Sequence, residues 1–201
     1  MRNISVWPLA TAVALALLAG CGTSAPPAPA PAAPPPPAPP PAVAPPVVTP
    51  PPPAPPAPAP KQLRIWLTGY SWQDNTPPGS SIVGEPVLHH EAGGSGTFED
   101  PITVAVPGHQ GAMDWAPGTK FYLPSVQRYV IVEDSGATGA PAGTDTHLDM
   151  WIGGQGGTRG ATDDCESRLT SWHAPAQLNP PAGLPVLAGP VYAAGRCNIP
   201  G

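Results

Sequence analysis

From Ala25 to Pro60 the chain is almost nothing but Pro and Ala, with a few Val and Thr. Such a stretch lacks backbone donors and cannot bury a core, so an extended polyproline II spacer is expected there. About 36 residues at ~3.1 Å each reach roughly 110 Å when stiff. The chain holds 36 Pro in 201 residues, most of them here, so whole-chain averages mislead. What remains to fold is Lys61–Gly201, about 140 residues, enough for one domain with a single core. The formal charge of −5 argues against a nucleic-acid binder or a surface that seeks anionic lipid.

Ahead of the spacer, Met1-Arg2 gives a positive start and Val13–Leu18 an apolar run too short to cross a bilayer. The run closes on Leu18-Ala19-Gly20-Cys21, which resembles the bacterial lipobox. The resemblance implies three segments: a signal peptide at 1–20, a lipidated Cys21 with its spacer at 21–60, and a folded domain at 61–201. It implies an exported chain, anchored through lipid to the cell membrane or an outer membrane. With Cys21 assigned to lipid, Cys165 and Cys197 remain. An even pair in an oxidising compartment is expected to form a disulfide that ties a helical segment to the C-terminal tail.

The domain reads as β. Gly and Pro punctuate it every few residues, and no long 3.6-residue apolar period is present. Expected strands are Leu63–Tyr70, Ile102–Val106, Lys120–Leu123, Arg128–Glu133, His147–Ile152 and Pro190–Ala193, with Pro124–Gln127 as a hairpin connection. One helix is expected over Asp164–Trp172, capped by Asp163 or Asp164. Six or seven short strands in so small a domain predict an all-β barrel or sandwich.

The most informative local pattern is His147-Leu148-Asp149-Met150-Trp151. In a strand, Leu148, Met150 and Ile152 share one face, and His147, Asp149 and Trp151 share the other. Asp is disfavoured in strands and an indole is not left idle in water, so that second face is expected to line a functional groove. His89-His90-Glu91 offers no metal set, because neighbouring histidines in a strand point apart. Ser135, in Asp134-Ser135-Gly136, reads as a turn residue rather than a nucleophile. No metal and no cofactor are expected, and the domain is taken as a monomer.

Thr68-Gly69-Tyr70, Gly93–Phe98, Pro117-Gly118-Thr119, Val132–Gly136 and His147–Met150 together resemble the double-psi β-barrel superfamily. Its members include expansins, rare lipoprotein A, family-45 glycoside hydrolases and the barrel of membrane-bound lytic transglycosylase A. The whole string, with Glu99–Thr103 and Asp164-Cys165-Glu166, is similar also to secreted barrels of bacteria and fungi. The resemblance implies a six- to seven-stranded double-psi barrel with one short helix. It also implies that the His-X-Asp pattern, here His147 and Asp149, supplies the acidic residue of a polysaccharide groove. Asp74, after Thr68, Tyr70 and Trp72, would stand in for a hydrolase base, though its spacing is longer than in the family-45 enzymes. Asp134 would support the acid.

Two activities stay open. One is expansin-like binding or loosening of wall polysaccharide without hydrolysis. The other is glycan cleavage with Asp149 as general acid. Inverting hydrolysis asks for two carboxyls about 6.5–9.5 Å apart, whereas a lytic transglycosylase needs one acid. The expected contact residues are Tyr70, Trp72, Trp115, His147 and Trp151, with Trp66 a further flat surface for sugar. The expected partner is peptidoglycan or a glucan.

Overall fold

The computed structural model describes residue 35, residues 58–109 and residues 112–201. The expected signal peptide, Cys21 and nearly all of the Pro/Ala spacer lie outside the described residues. The unit Pro52–Gly201 contains every element below.

Six strands close into a barrel: β1 (Lys61–Tyr70), β2 (Ile102–Pro107), β3 (Lys120–Leu123), β4 (Arg128–Ala137), β5 (Thr146–Trp151) and β6 (Ser171–Leu178). Helix α1 (Arg159–Leu169) lies between β5 and β6. A small antiparallel pair, β7 (Tyr192–Ala193) and β8 (Arg196–Cys197), follows. Around the barrel the order is β1-β5-β2-β4-β3-β6. The pairs β1–β5 and β2–β4 are parallel, and the other pairs are antiparallel. Exchanging β1, β2, β3 with β4, β5, β6 maps every pairing onto one of the same direction, so the topology carries an internal two-fold.

Alternation builds the core. Ile65 and Leu67, Val104 and Val106, Phe121 and Leu123, Val130 and Val132, and Leu148 and Met150 all point inward with no exposed surface. Closure leaves none of the six strands as an open edge along its whole length, which suits strands this short. The expected hairpin at Pro124–Gln127 joins β3 to β4.

The expected helix is corrected in register. It begins at Arg159, not Asp164, and Thr158 caps it by accepting from the Ala161 amide. The glycines of 153–157 end at Thr158, whose hydroxyl oxygen meets an otherwise orphan donor. Trp172 belongs to β6, a strand that the sequence reading did not anticipate. Packing of α1 requires Gly69 on β1, since a Cβ there would stand 2.7 Å from Leu169 Cδ2 and 3.0 Å from Ile152 Cγ2. Cys165 on α1 and Cys197 on β8 form the expected disulfide.

Candidate functional site

The parallel register of β1 and β5 sets residues side by side on the outer wall of the barrel. Trp66 faces His147, Thr68 faces Asp149, and Tyr70 faces Trp151. Beyond β5 comes β2, where Ala105 lies opposite Asp149 on one side and Asp134 of β4 on the other. The row Thr68–Asp149–Ala105–Asp134 therefore crosses four strands. Ala105 is the gap in it, and its single methyl leaves open space between two acids. The two acidic residues stand two strand spacings apart, about 9 to 10 Å along the backbone.

Asp134 reaches this wall because of a bulge. The β2–β4 register shifts between Val104 and Ala105, so Glu133 and Asp134 both turn outward. Without the extra residue, alternation would aim Asp134 at the core. Instead its Oδ2 accepts from the Tyr70 hydroxyl at 3.0 Å, and its Oδ1 accepts from the amides of Gly84 and Ser135 at 3.1 and 2.9 Å. Burial, then the charge and hydrogen bond of Asp134, push the Tyr70 hydroxyl well above its ordinary pKa, so it stays a donor.

Tyr70, Asp74, Asp134 and Asp149 line one open cavity of about 420 Å³, with His109 and Gly136 on its rim. Asp74 sits at its exposed side. Its Oδ1 accepts from the Ser71 amide at 2.6 Å and from the Ser71 hydroxyl at 2.9 Å, so one oxygen is occupied in holding the turn after β1. One step further along the same strands, Trp72 and Trp151 line a second cavity of about 360 Å³, together with Tyr192. Trp151 is nearly buried and meets Tyr70 edge-on at 5.2 Å. Trp115 is placed elsewhere. Its Nε1 donates to Thr146 Oγ1 at 3.0 Å, its ring packs on Phe121, and it lines neither cavity.

The acid at the centre is linked to a histidine through the Thr68 hydroxyl. Thr68 Oγ1 lies 2.5 Å from Asp149 Oδ1 and 2.7 Å from His147 Nε2. His147 Nδ1 points at the Thr138 carbonyl at 2.8 Å and must donate there. With Asp149 ionised, Thr68 donates to it, and a neutral His147 has no hydrogen for Nε2. With Asp149 protonated, its O–H donates to Thr68, which donates on to His147, and every position is filled. The electrostatics agree. Burial raises Asp149, the Thr68 bond offsets part of that, and the charges of Asp74 and Asp134 add to it, leaving Asp149 at about 6. Burial lowers His147, against the opposing bond to Thr138. The wall thus holds a carboxyl whose affinity for its proton is raised well above the ordinary aspartate range, to about 6.

A second raised carboxyl, Glu166 on α1, was not among the expected site residues. It lies behind the turn that carries Ser71 and Asp74. Burial, offset in part by Ser71 and reinforced by the charges of Asp74, Asp163 and Asp149, puts it at about 7. Its Oε1 is buried without a hydrogen-bond partner. A raised acid pKa means that the folded state holds the proton more tightly, so stability is lost as pH climbs from the ordinary glutamate range through about 7. Discounting for partial solvent screening, Glu166→Gln is expected to stabilise by on the order of 1 kcal/mol at pH 8 and hardly at all at pH 5. Urea denaturation at the two pH values checks this, and an equal gain at both would assign the effect to packing.

Above this wall, residues 88–100 are pinned by His89. Its Nδ1 lies 2.7 Å from Glu133 Oε2 and its Nε2 lies 2.9 Å from Asp100 Oδ1, so the ring bridges two carboxylates. The histidine pair that raised the question of a metal thus contains one imidazole already committed to an ion-pair network.

Fold and site together define a closed six-stranded barrel with a carboxylate cleft on its outer wall. The chain belongs to the DDB_G0273701 N-terminal domain family, whose sequence pattern matches residues 62–198. A relative in Dictyostelium discoideum, the uncharacterized protein DDB_G0273701/DDB_G0273221, is 37% identical over 108 residues. The alignment covers 52% of this chain and 45% of the relative, so the chain spans less than half of that protein's length. No solved structure matches.

Proposed function

We propose that this chain is an exported, lipid-anchored envelope protein whose barrel binds wall polysaccharide in the cleft above Asp149 and loosens it without hydrolysis. The observation that carries the reading is the outer wall of β1 and β5. An aspartate of raised pKa lies between aromatic residues on either side along one strand direction, beside an open cavity. Pyranose rings offer hydroxyls to such carboxyls and apolar faces to such rings. The internal two-fold, with its two parallel pairs, supports relating the barrel to the double-psi superfamily of expansins and rare lipoprotein A. The disulfide supports export, and the string ending at Cys21 supports the anchor.

The hydrolytic alternative is weakened by the state of the second carboxylates. Asp134 accepts three hydrogen bonds, and one oxygen of the exposed Asp74 accepts two, so Asp134 is committed to structure and Asp74 has only its second oxygen to offer a water. A cleavage that needs a single acid is the second reading, and the position of Asp149 at about 6 favours it.

Full-length protein in mild detergent, mixed with purified peptidoglycan sacculi or cellulose, separates these readings. Wild type is expected to co-sediment with at least one polymer and to release no soluble fragments, and Asp149→Ala is expected to bind about fivefold more weakly. Absence of binding to both polymers would remove the proposal. Soluble fragments that disappear in Asp149→Asn would replace loosening by cleavage.

A further inference from the structure

Trp172 is 56% exposed, the most exposed large aromatic side chain among the described residues. By strand parity it belongs inside. Ala174 and Ala176 of β6 point into the core, and an unbroken alternation would send Trp172 the same way. A bulge prevents this. The β1–β6 register shifts between Ile65 and Leu67, so that Trp66 alone stands opposite Trp172 and His173. His173 takes a φ of 57°, a left-handed conformation that disfavours any residue with a Cβ. The fold thus accepts local strain to carry a large apolar ring out of reach of the core and into water.

The ring is held flat. Trp172 stacks on Trp66 at 5.3 Å with an interplanar angle of 21°, and Trp66 stacks on His147 at 4.0 Å with an angle of 24°. The stack runs across β6, β1 and β5, and it ends at the imidazole that meets Thr68, whose hydroxyl also reaches Asp149. On the far side of Trp172 no strand among the described residues pairs with it, because β3 joins β6 only at Gln177 and Leu178. One indole face is covered and rigid, and the other is open. The chemistry suited to such a surface is the apolar face of a pyranose ring.

We infer that Trp172 is a sugar-stacking subsite at the end of the cleft opposite Trp72 and Trp151, so that a glycan lies along β1 and β5 with Asp149 near its middle. This rests on the polysaccharide reading above and adds a specific contact to it. Stacking on a ring that is already ordered needs little further loss of side-chain freedom, which is why a backed indole outperforms a free one.

The test uses full-length wild type, Trp172→Ala and Trp172→Phe, with peptidoglycan sacculi and cellulose as probes. Trp172→Ala is expected to bind about tenfold more weakly, Trp172→Phe to retain most of the affinity, and the Tm of both to stay within about 2 °C of wild type. Binding of Trp172→Ala equal to that of wild type would overturn the subsite and leave the cleft reading standing. If wild type binds neither polymer, the cleft reading and the subsite fall together. Should Trp172→Ala also lower Tm, Trp172→Phe decides: retained binding supports the platform, and lost binding with an intact fold overturns it.

Discussion

Glu133→Ala is expected to destabilise the barrel by about 3–5 kcal/mol, the range for stranding the partners of a buried charge. Glu133 has no exposed surface. Its Oε1 accepts from the amides of Leu88 and His89 at 2.6 and 2.7 Å, and its Oε2 accepts from Thr103 Oγ1 at 2.9 Å beside His89 Nδ1 at 2.7 Å. Removing the carboxylate leaves two amides, a hydroxyl and an imidazolium facing a hole. Burial alone would raise the pKa of Glu133, but the bonds from His89, Leu88 and Thr103 outweigh it and hold it below the ordinary glutamate value. For His89, burial works downward while the bonds to Asp100 and Glu133 raise it overall.

The pH dependence follows from those directions. His89 is raised, so its contribution is complete below the ordinary histidine pKa and is lost as pH rises through its higher folded value. Glu133 and Asp100 are lowered, so theirs is present above the ordinary carboxylate range and is lost as pH falls through their folded values. Urea denaturation of wild type is expected to show the His89 contribution as a decline on the alkaline side, added to the loss through about 7 assigned to Glu166. The His89 part of that decline should shrink in Glu133→Ala, whose His89 keeps only the partly exposed Asp100, while the Glu166 part stays. A Glu133→Ala protein within about 1 kcal/mol of wild type at pH 6 would mean that the network contributes little net stability.

The second large effect is expected from the disulfide. Cys165 and Cys197 are 32 positions apart, and a loop of that length, when cross-linked, restricts the unfolded chain by ~3 to 4 kcal/mol on the chain-entropy model. Replacing both with Ala, or reducing the bond, is expected to lower Tm by roughly 10–20 °C for a domain of this size. The consequence reaches the cleft, because α1 carries Cys165 and covers Gly69 and the turn holding Ser71 and Asp74. Loss of the bond is therefore expected to weaken polysaccharide binding before global unfolding. Thermal scans with and without reductant read the first effect, and co-sedimentation below Tm reads the second. Unchanged Tm on full reduction would show that packing alone secures α1.

Much of this was legible in the chain itself. Alternation in Leu63–Tyr70 and His147–Ile152 identified both strands and their inward faces, because the side chains of a strand point to opposite sides whatever lies next to it. Cysteine arithmetic identified the disulfide. Strand number and punctuation pointed to an all-β barrel or sandwich with one short helix, and the resemblance to double-psi barrels implied the barrel. The helix starts at Arg159 rather than Asp164, because Thr158 caps a first turn that tolerates Gly160. The sequence reading expected Trp115 among the contact residues of a groove, whereas that indole packs against Phe121 and lines neither cavity.

What the sequence determined by itself was local parity: that β1 alternates, which residues of β5 turn inward, and that an acid, an imidazole and an indole share one outer face. Which strands became neighbours, and where a bulge reversed that parity, depended on closing the barrel. Only closure set Ala105 between Asp149 and Asp134, turned Asp134 toward Tyr70, and brought Trp172 out onto Trp66. Alternation is a property of one backbone, whereas register and bulges are properties of a pair, and a pair exists only after residues far apart in the chain have met.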